Sequence, residues 1–156
     1  MIRGIAILYY KQYHAQSSLH NSAVRIKVSV TFAVCGAQLQ ASNTKRQFIS
    51  HPSYGDDNYE PNLHCIWQLK AQSDYKIHLR LKEFDVEMEK NCVYDYVIVR
   101  SGNNSTAPVL GRVCGKGTPV EFVSPGNRMW IEFRTDLTTN KKGFIAEYWS
   151  SFKTDK

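Results

Sequence analysis

Between Glu83 and Arg100 the sequence sets a row of carboxylates against an apolar run, and its chemistry lies in that juxtaposition. Asp85, Glu87 and Glu89 alternate through a loop-like acidic stretch that leads into Cys92. Tyr94-Asp95-Tyr96-Val97-Ile98-Val99 follows, rich in aromatic and β-branched side chains, and reads as a strongly buried strand. Asp95 stands inside that run. A carboxylate at the start of a core strand is costly unless it is paired with a base or bound to a cation. The first question is therefore what Asp95 faces.

Catalysis is a poor answer. The chain has no Gly-x-Ser-x-Gly elbow, no zincin helix and no cysteine-nucleophile signature. Glu87 and Asp95 have the residue types of a glycosidase pair, but nothing around them signals a substrate cleft. His14, His20, His51, His64 and His78 form no metal-binding pattern and read as surface residues. The reading is a non-enzyme. The four cysteines, Cys35, Cys65, Cys92 and Cys114, have 29, 26 and 21 residues between neighbours. Zinc sites use close ligand pairs, so this spacing speaks against zinc. An even count at wide spacing suits two disulfides in an oxidising compartment, against four buried thiols in a reducing one. Three connectivities remain open. Pairing neighbours closes two loops, each worth about 3.5 kcal/mol on chain entropy.

The elements that must position these groups are strands. At 156 residues the chain suits one domain with a sizeable core and an extra segment. Gln47–Ser50, Cys65–Leu69, Tyr75–Leu81, Val120–Val123, Met129–Phe133 and Gly143–Tyr148 are short apolar or alternating runs separated by Gly, Pro, Asn and Ser. No stretch longer than a turn has helical period and caps. The pattern indicates an all-β fold, an antiparallel β-sandwich. Residues 1–34 differ from the rest, and are a basic segment without any acid that reads as an atypical leader or the remnant of a preceding region. Within them Val24, Ile26, Val28, Val30 and Phe32 alternate with polar residues as a strand would. Residues 150–156 read as a C-terminal tail. No run approaches the ~18–20 apolar residues of a membrane span. The net charge of +6 comes mostly from the two ends: residues 35–149 hold 14 Lys and Arg against 13 Asp and Glu. That near-neutrality argues against nucleic-acid binding.

Several pieces occur in a distinctive order. Cys35-Gly36 opens it, followed by Pro52-Ser53-Tyr54, Tyr59-Glu60-Pro61-Asn62 and Cys65-Ile66-Trp67. Phe84-Asp85-Val86-Glu87 precedes Cys92-Val93-Tyr94-Asp95-Tyr96, then Gly111-Arg112-Val113-Cys114-Gly115. Phe133-Arg134-Thr135-Asp136 and Gly143-Phe144-Ile145-Ala146-Glu147-Tyr148 close it. In this order residues 35–149 resemble a CUB domain, the extracellular module of complement proteases, tolloid-type metalloproteases, cubilin-like receptors and spermadhesins. Gly55 departs from the family, which usually has a second proline in that loop. The resemblance implies a two-sheet, jelly-roll sandwich, disulfides Cys35–Cys65 and Cys92–Cys114, and a secreted or extracellular setting. It also implies a calcium ion held by Glu87, Asp95 and Asp136, with carbonyls near Leu137 and Thr138 completing the shell and Tyr54 buttressing it. Calcium suits such a set, since it takes 6–8 hard oxygens. The implied function is non-catalytic, calcium-dependent binding of a partner protein through its Lys or Arg side chain.

Other residues take lesser roles. Asp85 and Glu89 read as solvated loop charges, Trp67 as core beside Cys65, and Trp130 as an exposed side chain open to a partner contact. Asn103-Asn104-Ser105-Thr106 holds two overlapping N-glycosylation acceptors, Asn103 and Asn104, on a turn. An alternative function is carbohydrate or glycosaminoglycan binding, as spermadhesins suggest, through Lys141-Lys142 and the basic N-terminal segment. Another is an accessory fragment of a larger secreted protease.

Overall fold

A computed structural model describes residues 35–117 and 119–154. The expectations for residues 1–34, including the alternating strand and the leader, lie outside the described residues, as do His14 and His20. Ten strands follow in chain order: β1 (Gly36–Gln40), β2 (Arg46–Ile49), β3 (His64–Lys70), β4 (Tyr75–Val86), β5 (Tyr96–Arg100), β6 (Val109–Val113), β7 (Gly115–Lys116), β8 (Val120–Ser124), β9 (Arg128–Arg134) and β10 (Gly143–Phe152). One sheet has the order β1-β3-β9-β5-β6. The other runs β2-β10-β4-β7, with β8 also pairing along β4. No described residue is helical.

Alternation places the core. In β3, Cys65, Trp67 and Leu69 point inward; in β9, Met129, Ile131 and Phe133 do the same. From the second sheet Ile77, Leu79, Leu81 and Phe84 of β4 meet Phe144, Ala146 and Tyr148 of β10. Trp67 joins the sheets by stacking on Phe48 of β2 at 4.7 Å and meeting Phe144 edge-on. The sandwich is antiparallel except for β1, which pairs in parallel with β3 from Gly36–Ile66 to Gln40–Lys70. The disulfides join Cys35 to Cys65 and Cys92 to Cys114.

The strands extend beyond the sequence pattern in three places. β4 continues through Glu83-Phe84-Asp85-Val86, so the acidic run begins as strand rather than loop. β10 continues to Phe152, past the boundary expected at 149, pairing Phe152 with Tyr75. β6 and β7 lie in a Gly- and Arg-containing stretch whose local sequence does not announce them. One histidine expectation is corrected. His51 is buried: its Nδ1 lies 2.8 Å from Ser50 Oγ and its Nε2 3.1 Å from the Asp57 carbonyl. Burial lowers its pKa, with the Asp57 carbonyl and the Glu60 and Asp57 charges opposing the shift. Gly143, at φ +85°, starts β10 against this pair; a Cβ there would collide with Ser50 Oγ.

Candidate metal centre

Three strand ends meet at one end of the sandwich. Glu87 follows the last residue of β4, Asp95 precedes the first residue of β5, and Asp136 lies two residues past β9. The β5–β9 pairing sets Tyr96 opposite Arg134, which places Asp95 beside the segment leading to Asp136. One carboxylate oxygen from each of Glu87, Asp95 and Asp136 lies within 4.8 Å of the others. No other such cluster of ligand-type side chains occurs among the described residues.

Asp95 is 1% exposed and is fastened on both oxygens. The Asp136 backbone N–H donates to Oδ1 at 2.7 Å, and the Tyr59 hydroxyl donates to Oδ2 at 2.6 Å. Burial raises the Asp95 pKa; those two hydrogen bonds oppose the rise and the Asp136 charge adds to it. The same Tyr59 hydroxyl accepts from the Glu87 backbone N–H at 3.0 Å. Burial and its bond to Asp95 hold the Tyr59 phenol well above its ordinary pKa. It is 1% exposed and meets Phe133 edge-on at 5.3 Å.

Tyr54 is therefore not the tyrosine at this centre. Its hydroxyl donates to Glu83 Oε2 at 3.0 Å, and its pKa is pushed up to about 12 by burial first and by Glu83 second. Both tyrosines sit in the same turn-rich loop, and long-range bonds decide which turns inward. The Tyr59 N–H donates to the Lys141 carbonyl at 2.9 Å, and Asn58 Nδ2 donates to the Asn140 carbonyl at 2.9 Å. The offset from Asp95 favours neither tyrosine, so only the fold separates them. Tyr59→Phe leaves the Glu87 N–H and one Asp95 oxygen without a partner, and is expected to cost about 1–3 kcal/mol in stability. Tyr54→Phe, on the surface, should stay within about 0.5 kcal/mol. Denaturant unfolding of the two variants checks that order.

The loops around the cluster are tightly specified. The Asn62 N–H donates to the Asp136 carbonyl at 2.7 Å, and the Thr138 N–H to Asp136 Oδ1 at 2.8 Å. Among the described residues, the non-glycine residues with positive φ are Asn62, Cys92 and Thr139, all in these loops. Such backbone is uncommon and persists where neighbouring structure enforces it. Asp85 belongs to β4, opposite Lys116, and Glu89 Oε2 accepts from the Asn91 and Val93 N–H groups. Neither joins the three-carboxylate group.

A cation fits these residues on their own chemistry. Glu87 Oε2 is a buried carboxylate oxygen with no hydrogen-bond partner. A charged oxygen in that state is costly unless a cation compensates it. The donors are all hard oxygens, the type calcium takes and zinc seldom uses alone.

Elsewhere the structure sorts the remaining expectations. Trp67 is core, 3% exposed. Trp130 is half-buried rather than exposed, and its indole N–H is buried without an acceptor. Lys142 lines a cleft of about 760 Å³ together with Asp56, Asp57, Glu60 and Glu83, acidic surroundings that disfavour an anionic ligand at that lysine. Asn103 and Asn104 lie in the β5–β6 turn, at the end of the sheet away from the carboxylates. Asn104 Oδ1 accepts from the Thr106 N–H at 3.0 Å and the Thr106 hydroxyl at 2.8 Å. No described helix is long and apolar enough to cross a membrane.

Comparison with known proteins agrees with this architecture. The chain is 43% identical over 117 residues to human Tolloid-like protein 2, covering 75% of this chain and 12% of that relative. It therefore spans about an eighth of that relative's length. The CUB1-EGF-CUB2 domains of rat MASP-1 superpose with a TM-score of 0.63 at 26% identity, covering 74% of this chain and 42% of that one. The MASP-1 CUB2 domain bound to Ca2+ matches with a TM-score of 0.60 at 22% identity, covering 74% of this chain and 99% of that one, and shows the shared fold. The family model of the CUB domain matches residues 35–148. The chain belongs to the CUB domain family.

Proposed function

We propose that this domain binds one calcium ion at Glu87, Asp95 and Asp136 and, through it, an extracellular partner protein. The reading rests on the three converging carboxylates, of which Glu87 Oε2 is buried and has no partner. Glu87, Asp95 and Asp136 hold the ion, and the ion supplies the positive charge that lets three carboxylates share one end of the sandwich. Tyr59 positions two of them, donating to Asp95 and accepting from the Glu87 backbone. Carboxylate oxygens facing outward can then accept hydrogen bonds from a lysine or arginine of the partner. Leu137 and Thr138 carbonyls would add neutral oxygens. Secretion suits the two disulfides. A glycan at Asn104 rather than Asn103 fits the bonds from Thr106 to its amide oxygen.

In its parent protein the domain would serve as the accessory, recognition-bearing part of a larger secreted protein, a protease among the candidates. Titration with calcium followed by a lysine-bearing peptide tests the reading. The peptide should bind in calcium and lose measurable binding in chelator. Equal binding in both would exclude the mechanism.

A further inference from the structure

One buried ionisable side chain lies outside the carboxylate centre, at the root of the loop that serves it. We propose that His51 is a positioning residue for that centre: its neutral imidazole latches the loop carrying Tyr59, and its protonation in mild acid releases the latch and weakens calcium binding. The calcium half of the proposal rests on the function proposed above; the latch does not.

A relay of hydrogen bonds specifies the neutral ring. The Phe144 N–H of β10 donates to Ser50 Oγ at 3.0 Å, and Ser50 Oγ lies 2.8 Å from His51 Nδ1. On the far side of the ring, Nε2 lies 3.1 Å from the Asp57 carbonyl. A carbonyl only accepts, so Nε2 carries the ring's proton, and Nδ1 is left to accept from the Ser50 hydroxyl. A second proton has to enter at Nδ1. It reverses the Ser50 contact and places a charge on a ring that is 2% exposed, beside a hydroxyl that is 0% exposed. The ring has little room to shift, because a Cβ on Gly143 would already meet its Nδ1 and Cε1 at 3.0 Å.

The groups facing His51 do not cancel that cost. Tyr54 and Tyr59 meet it edge-on at 5.9 and 6.1 Å. β2 leads into uncharged Ser50, and β10 contributes uncharged Gly143 and Phe144. Asp57 and Glu60, from its own loop, favour the protonated ring, and burial outweighs both. Glu83 of β4, bonded to Tyr54, and Lys142, just before β10, line the cleft shared with those two acids.

The latch reaches the centre through the chain. The His51–Asp57 bond closes a turn also held by the Tyr54 N–H on the His51 carbonyl at 3.1 Å and the Asp57 N–H on the Ser53 carbonyl at 3.0 Å. Two residues on, the Tyr59 hydroxyl joins Asp95 to the Glu87 N–H. Calcium needs those two residues held, so it favours the neutral ring, and by reciprocity the neutral ring favours calcium. Folding lowers the His51 pKa from 6.5, so the unfolded chain takes the proton first. Stability is therefore full above about pH 6.5 and falls as pH drops through the lowered value. Asp95, whose pKa burial raises, also takes up a proton in acid, and a variant separates the two responses.

NMR titration of the parent chain in chelator and in about 5 mM calcium reads the coupling without any substitution. The His51 ring should titrate below its ordinary value in chelator and lower still in calcium. His78 of β4, stacked on Trp149 at 4.9 Å, should titrate alike in both. Calorimetric calcium titration at pH 7.5 and 5.5 then compares the parent with His51→Gln, whose amide keeps a donor and does not titrate. One proton of ordinary pKa 6.5 sets a ceiling of about tenfold between those pH values. The parent's dissociation constant should rise about three- to tenfold more than the variant's. Equal rises would assign the pH response to the carboxylates, and a His51 titration indifferent to calcium would make the ring merely structural; either result overturns the proposal. A parent that binds no calcium at either pH would overturn the calcium reading, leaving unfolding in chelator to decide the latch. There the parent should lose more stability than His51→Gln between pH 7.5 and 5.5, and parallel losses would overturn the latch as well.

Discussion

Asp136→Asn should abolish stabilisation by calcium while leaving the calcium-free domain as stable as the parent, or slightly more so. The two effects separate because Asp136 does two things. Its Oδ1 accepts the Thr138 N–H, a role asparagine keeps. Its charge stands close to those of Asp95 and Glu87, which asparagine removes. Without a cation, removing that charge relieves repulsion against buried Asp95. With calcium, it deletes one of three anionic ligands. Extracellular modules bind calcium with dissociation constants of about 0.1–1 mM. At about 5 mM calcium and a constant near the tight end, linkage gives the parent about 2 kcal/mol. For a domain of this size that is roughly 6–10 °C in melting temperature. Thermal unfolding of parent and variant, each with calcium and with chelator, gives four values. A variant that melts lower than the parent in chelator would make Asp136 a structural residue. A parent indifferent to calcium would leave the carboxylates without the proposed ion.

Why the three carboxylates stand out in the chain while their tyrosine does not is a matter of distance from a strand. Glu87, Asp95 and Asp136 sit within two residues of β4, β5 and β9, strands whose apolar alternation announces their presence, although β4 runs five residues past the alternation before it reaches Glu87. Pairing of β5 with β9 then carries their neighbourhood across 41 residues of sequence. Tyr54 and Tyr59 belong to a loop without periodicity, and the bonds that turn Tyr59 inward come from Lys141 and Asn140. Nothing near residue 59 announces them. The same holds for His51, buried through Ser50 and Asp57, and for Lys142, which looks like half of a basic patch until its acidic neighbours gather around it. The parallel pairing of β1 is equally silent, because five residues of mixed polarity specify no direction. Alternation and cysteine spacing thus carry the sandwich, and loop-to-loop hydrogen bonds carry the detail of the site.

Deleting the Cys92–Cys114 disulfide is expected to harm calcium binding far more than deleting Cys35–Cys65, although the two should cost similar stability. Their sequence separations are 22 and 30 residues, so chain entropy assigns each about 3.5 kcal/mol. Their positions differ. Cys35 tethers the edge strand β1 to β3, and neither cysteine of that pair belongs to a loop that carries a carboxylate ligand. Cys92 lies between Glu87 and Asp95, with a left-handed backbone at φ 50° that a free chain rarely visits. The disulfide fastens that loop to the segment joining β6 and β7, so Glu87 is presented to Asp95 before any ion arrives. Without it, ordering the loop falls to the binding reaction. Fixing each residue takes about 1–2 kcal/mol, so even one newly mobile residue weakens calcium binding about tenfold. Calorimetric titration of the Cys92→Ala/Cys114→Ala and Cys35→Ala/Cys65→Ala pairs, at a temperature where both remain folded, reads the difference. An affinity lost equally in both pairs would mean that calcium senses overall stability rather than the set of the loop. An affinity kept in both would mean that the hydrogen bonds of Tyr59 and Glu89 hold the loop without the disulfide.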